Sequence, residues 1–162
     1  MQRYMVNGPD RCRCYHLGQT RFQFVVKRGQ TLKRILSQMH WGGASVILAA
    51  NKDMVEFMGV KTLARMLTSL AEDSSTQVCV HLDHTYDEEI VYQAIHHGFS
   101  SVMFDGSQLP LEENIRRTRQ VVKVARAVGV SVEGEIGSVP YEEGRDHIKS
   151  ISTEPEEALR YA

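Results

Sequence analysis

The stretch from Val78 to Gly106 reads VCVHLDHTYDEEIVYQAIHHGFSSVMFDG. Val78 to Asp83 is a short, largely apolar run that turns polar at its end, which reads as a strand. Thr85, with Glu88 three positions on, has the pattern of a capping box and predicts that a helix opens there. Ile90, Val91, Ala94 and Ile95 recur at helical spacing, and Gly98 is placed to stop the helix. Ser101 to Asp105 then reads as a second strand. A strand, a helix and a strand in so short a span make a βαβ unit, whose strands lie parallel.

The alternation continues in both directions. Upstream, Phe22 to Val26 reads as a strand, and Leu32, Ile35, Leu36 and Met39 share one helical face. Ala44 to Ala50 is a continuous apolar run, as expected of a strand buried on both sides. Val55 to Ala71 reads as a helix with Leu63, Met66, Leu67 and Leu70 on one stripe. Downstream, Pro110 sits where a helix can start, because a missing N–H costs little in the first turn. That helix buries Ile115, Val121, Val122 and Ala125 and ends at Gly129. Val130 to Gly137 is the fifth strand, Ser138 to Ser150 a polar loop, and Pro155 to Ala162 a further helix. Nothing resembles a linker or a repeat, so residues 1–162 read as one α/β domain with about five parallel strands. Such a set fits a small open sheet. It also fits part of an eight-stranded (β/α)8 TIM barrel, which in full takes ~250 residues. Periodicity does not separate the two.

Composition narrows the function classes. Of 162 residues, 42% are hydrophobic and 24% charged, enough apolar matter for a core. The 19 basic and 20 acidic residues leave a net charge of −1, so no basic excess points to nucleic acid. No apolar run approaches the ~18 residues of a membrane span, and Met1 to Thr20 lacks the apolar stretch of a secretory signal. The three cysteines, Cys12, Cys14 and Cys79, are an odd number without the spacing of a disulfide framework or a zinc finger, and the Cys12-x-Cys14 pair reads as two incidental thiols. A cytoplasmic setting is expected.

In parallel α/β folds the reactive side chains gather at the carboxyl ends of strands. Three such ends here are unusually polar: His81-Leu82-Asp83-His84, Asp105-Gly106-Ser107, and Glu133-Gly134-Glu135. Strand alternation puts His81 and Asp83 on one side and His84 on the other until the strand frays. Imidazole suits zinc, and neighbouring carboxylates can ligate it or orient its ligands. Each element also has a structural reading. A strand-end histidine can be a packed one, Asp105-Gly106 can be a plain turn, and the two glutamates can form ion pairs. Three such ends on successive strands nevertheless favour a site, because burying so many ionisable groups requires compensation. His96, His97 and His147 read as surface residues, and His81 as a packed histidine behind the site.

Cys79 to His84, Ser101 to Ser107 with Leu109-Pro110 and Glu112-Glu113-Asn114, Val130 to Gly137, and Thr153 to Ala158 resemble, in order and spacing, the signature segments of the class II, zinc-dependent ketose-bisphosphate aldolases. The match runs from about Ala44 onward, and residues 1–43 match poorly. The resemblance implies part of a TIM barrel and a zinc-assisted aldol cleavage of a phosphorylated ketose to dihydroxyacetone phosphate and glyceraldehyde 3-phosphate. It implies His84 as a ligand of the catalytic Zn2+, Asp105 and Glu135 as carboxylates of a second, buried metal position, and Asp83 as the acid/base at the aldehyde-derived hydroxyl. Glu143, with Glu142 adjacent, falls at the family's mobile-loop glutamate that moves the carbon-bound proton. Fructose and tagatose bisphosphates are not distinguished.

The chain departs from the family pattern in having Thr85 where glycine usually follows the Asp-His pair, and Asn51 where serine is common. It contains one of the three histidines that the family uses on zinc. The expectation is therefore an inactive portion of such an enzyme, or alternatively a non-catalytic half-barrel module. An arc of about five strands also leaves an edge that invites self-association.

Overall fold

The computed structural model describes residues 4–5, 21–25, 45–75, 77–137 and 153–161, the first two ranges as backbone only. Six strands form one sheet: β1 (Tyr4–Met5), β2 (Arg21–Val25), β3 (Ser45–Ala50), β4 (Val78–Thr85), β5 (Ser101–Phe104) and β6 (Ser131–Gly134). Their order is β1-β6-β5-β4-β3-β2. From β2 to β6 every neighbouring pair is parallel and follows chain order. This stepwise run of parallel strands is the arc expected of a barrel, since a doubly wound sheet reverses its strand order at a switch point. β1, which the sequence pattern did not indicate, pairs antiparallel with β6 through Tyr4 opposite Gly134 and Met5 opposite Glu133.

The helices are α1 (Lys52–Met58), α2 (Val60–Glu72), α3 (Glu88–His97), α4 (Leu111–Ala127) and α5 (Pro155–Tyr161). Among the described residues no helix is long and apolar enough to cross a membrane. The expected helix at Leu32 to Met39 and the loop at Ser138 to Ser150 lie outside the described residues.

Strand alternation divides the two sheet faces by chemistry. Val46, Leu48, Val80, Leu82, Val102 and Phe104 point to the helices and pack there with Leu63, Leu67, Val91, Ala94, Val121 and Ala125. The intervening positions face inward and carry His81, Asp83, Ser101 and Glu133, all nearly inaccessible to solvent. Both faces of β3 to β6 are thus buried, but only the helix face is uniformly apolar.

Two local expectations are corrected. The helix read as Val55 to Ala71 is two helices, broken at Gly59, whose φ of 77° no interior helical residue adopts. Thr85 does not cap a helix. It is the last residue of β4, opposite Phe104, and Asp87 caps α3 instead by accepting from the Glu89 amide at 2.9 Å. Asn51 is likewise a cap, its Oδ1 accepting from the Met54 amide at 3.2 Å. Gly98 does end α3, in the left-handed conformation at φ 102°.

Candidate active site

β4 delivers two adjacent side chains to the same mouth, which regular pleating forbids. The pairing of β4 with β5 shifts register between Leu82 and Thr85, and His84 sits at φ 41°, a region costly for a residue with a side chain. The irregularity swings the His84 ring toward the carboxyl ends of β5 and β6. Its Nδ1 lies 2.9 Å from Asp105 Oδ2 and 3.4 Å from Glu135 Oε2. Strain at a strand end that places one imidazole between two carboxylates has the character of a functional constraint.

Asp105 follows directly on β5, and its two oxygens divide the labour. Oδ1 accepts from the Ser107 amide at 3.1 Å and the Ser107 hydroxyl at 2.6 Å, tying the Asp-Gly turn. Oδ2 faces His84. The turn-forming and site readings of this residue therefore both hold. Burial would raise the Asp105 carboxyl, but the hydrogen bonds from His84 and Ser107 prevail and hold it below its ordinary value. Burial would likewise lower the His84 imidazole. The Asp105 hydrogen bond and the nearby Asp83 and Glu135 carboxylates outweigh that and hold it above its ordinary value.

Behind this group stands a second layer. His81 Nδ1 is 2.8 Å from the Ser101 hydroxyl, and its Nε2 lies 3.8 Å from Asp83 and 3.5 Å from Glu133. His81 thus spans Asp83 and Glu133 and stands apart from the His84 group.

His84, Asp105 and Glu135 present one ligand atom each, all within 4.8 Å of one another and all buried. One imidazole nitrogen and two carboxylate oxygens suit zinc. The charge balance fits as well. Asp83, Asp105, Glu133 and Glu135 are buried together with two histidines, while no Lys or Arg is buried among the described residues. A divalent cation would suit so acidic a set of side chains. Where the sequence reading divided His84 from the two carboxylates between metal positions, the fold brings all three within reach of a single ion.

His96 and His97 remain on the far turn of α3 with ring centroids 4.9 Å apart and take no part in the site. Glu142, Glu143 and His147 lie outside the described residues. Cys79 is disulfide-bonded. Three cysteines leave room for one pair even though they make no framework. Asn114, quoted above only as part of a motif, proves to touch the site: its Nδ2 donates to the Glu135 carbonyl at 2.8 Å. Its one sequence signal was a polar residue on the buried stripe of a helix.

A strand-by-strand parallel arc with an imidazole and carboxylates at three successive carboxyl ends has the arrangement of a barrel-enzyme active site. Residues 17–162 match the model of the family described as fructose-bisphosphate aldolase class-II, and the chain belongs to that family. It is 44% identical over 120 residues to a 6-phospho-5-dehydro-2-deoxy-D-gluconate aldolase of Bacillus subtilis (strain 168), covering 72% of this chain and 41% of that protein. It is 41% identical over 116 residues to a fructose-bisphosphate aldolase of Thermus caldophilus, covering 70% of this chain and 38% of that protein. Among solved structures, the YdjI aldolase from Escherichia coli K12 superposes with a TM-score of 0.73 at 26% identity, covering 93% of this chain and 57% of that one. The chain spans about two fifths of the length of the curated relatives it matches.

Proposed function

We propose that this chain contributes the metal-holding and proton-transferring strand ends of an aldolase acting on a phosphorylated ketose. The observation that carries the reading is the convergence of His84, Asp105 and Glu135, with Asp83 beside them, at the ends of three neighbouring strands. His84, Asp105 and Glu135 would hold the divalent metal, zinc by family. Bound there, it supplies Lewis acidity that polarises the ketose carbonyl and offsets the negative charge left on carbon when the C–C bond breaks.

The remaining work falls to side chains of this chain. In the cleavage direction an Asp83 carboxylate oxygen accepts the proton of the hydroxyl whose carbon becomes the aldehyde, and in condensation it returns it. His81 buttresses Asp83 from behind, and the Ser101 hydroxyl at His81 Nδ1 fixes the ring. Near-complete burial of Asp83 keeps bulk water from competing for the proton. Glu143, or its neighbour Glu142, moves the proton on the carbon next to the carbonyl.

Two substrate readings stand side by side. The fructose-bisphosphate reading follows the family description, and the sugar-acid reading follows the 44% identity to the Bacillus enzyme. Both substrate names place a ketone beside a phosphorylated carbon, and we take that unit as the recognised part. Lysates and the cytoplasmic fraction of the source cells are the place to look for the activity.

The test uses the full-length protein that carries this segment. Triose-phosphate release is followed from fructose bisphosphate, tagatose bisphosphate and 6-phospho-5-dehydro-2-deoxy-D-gluconate, before and after chelation and zinc addition. Zinc-restored cleavage of at least one substrate is expected. Cleavage that survives metal removal unchanged would overturn the metal assignment, and no cleavage of any of the three would overturn the substrate class.

A further inference from the structure

Glu135 presents a geometric problem that the sheet does not solve. β6 ends at Gly134, so the ladder no longer holds the backbone from which this carboxylate projects. Its support comes from two helices instead. Asn114 Nδ2, on α4, donates to the Glu135 carbonyl at 2.8 Å. The Tyr161 hydroxyl, on α5, reaches the same asparagine, 3.4 Å from Asn114 Oδ1.

Asn114 reaches the other carboxylate strand as well. A Cβ on Gly106 would lie 2.1 Å from Asn114 Oδ1, so the amide occupies the space that a side chain at position 106 would need. Gly106 directly follows Asp105. The Asn114 amide orientation is in turn set by a relay. Thr118 Oγ1 donates to Asn114 Oδ1 at 3.1 Å, and the Tyr161 hydroxyl, 2.9 Å from Thr118 Oγ1 and 3.4 Å from Asn114 Oδ1, closes the cluster. A buried asparagine inside a helix is disfavoured by propensity and by desolvation, and here its Nδ2 is committed to the strand end that carries Glu135.

We infer that Asn114 is a positioning residue, held by Thr118, that sets the spacing of the Asp105 and Glu135 carboxylates and thereby the affinity and geometry of the metal site. The role depends on the metal-site reading, and the two are separable by experiment. Partners behind metal ligands typically change metal affinity by about 10- to 100-fold when lost.

The probe is Co2+ alone, titrated into the metal-free full-length protein and followed by its d–d absorption, whose position and intensity report coordination geometry. Asn114→Ala should weaken Co2+ binding by about 10- to 100-fold and shift the band, and Thr118→Val should do the same to a smaller degree. Ile90→Ala, which loosens the helix-packed core away from the site, serves as the control. It should lower the melting temperature while leaving affinity and spectrum unchanged. A folded Asn114→Ala protein with wild-type affinity and band overturns the inference. If that variant does not fold, wild-type behaviour of Thr118→Val overturns it. Equal weakening by Ile90→Ala also overturns it, since general loosening would then explain the effect. Failure of the wild-type protein to bind Co2+ overturns the metal-site reading itself and this inference with it.

Discussion

His84 Nδ1 and Asp105 Oδ2 meet at 2.9 Å across two neighbouring strands, although 21 residues separate them in the chain. The contact exists because β4 abandons regular pleating at its last turn and His84 takes a positive φ. The backbone strain there is tolerated because the pairing and burial around it over-determine the conformation. Everything proposed for the site depends on that one ring pointing sideways.

Replacing His84 by alanine should therefore do two things. Metal content should fall to background, since a single imidazole cannot be replaced by water without loss of affinity. The metal-free protein should also lose about 3–5 kcal/mol of stability, because Asp105 and Glu135 remain buried without their partner. Metal analysis and urea unfolding measure the two effects. Full zinc in the variant would remove His84 from the ligand set.

Asp83→Asn should separate binding from proton transfer. The amide keeps the size of the carboxyl but cannot accept the hydroxyl proton, so turnover should fall by ~100- to 10,000-fold at unchanged metal content. Steady-state kinetics beside metal analysis provide the check. Near-normal turnover would move the acid/base role elsewhere.

Gly134→Ala should destabilise without touching any ionisable group. An added Cβ would lie 2.1 Å from the Tyr161 hydroxyl and 2.9 Å from the ring carbon that bears it. An aromatic ring wedged against Thr118 cannot move aside cheaply, so α5 must shift. The expected cost is about 1–3 kcal/mol, the usual range for overpacking, read as a lowered urea midpoint. An unchanged midpoint would mean that α5 docks more loosely than its contacts indicate.

Stability should also decline at alkaline pH, and Tyr161 should account for part of the decline. Burial pushes its phenol up to about 12, against an ordinary value of about 10 in the unfolded chain. Between those values the folded chain holds a proton that the unfolded chain releases, so stability is full below about pH 10 and falls as pH rises towards about 12. In Tyr161→Phe that part of the slope should vanish, although stability at neutral pH is lower because the hydroxyl contacts are lost. Urea midpoints across this range test it, and identical alkaline slopes in both proteins would refute it.

The alternation that built the sheet was legible in the chain because it depends on local pattern. Apolar runs such as Ala44 to Ala50 have no stable place except between two layers. Leu63 and Leu67, like Val91 and Ala94, fall on one helical stripe. The polar ends His81 to His84, Asp105 and Glu133 to Glu135 were legible for the same reason: carboxylates and imidazoles at the ends of apolar strands must have a use or a partner. Local pattern also misled in places. Thr85 and Glu88 have the spacing of a capping box, but the pairing of Thr85 with Phe104 claims Thr85 for the sheet. The apolar stripe from Val55 to Ala71 continues across Gly59 with no visible break, since a reversal of φ leaves composition untouched.

The chain by itself thus determined the parallel α/β arrangement, the strand ends that carry chemistry and the residue types available there. It could not determine which of those groups meet. Alternation alone would have sent His84 away from Asp83, and only the β4–β5 register shift brings both to one mouth. Nor does any local spacing announce that Asn114 grips the Glu135 backbone, or that Tyr161, 47 residues beyond Asn114, reaches the same asparagine. Such contacts belong to tertiary structure because they join elements whose approach is set by packing of the intervening chain, and hydrogen bonds form only where that packing brings donor and acceptor within about 3 Å.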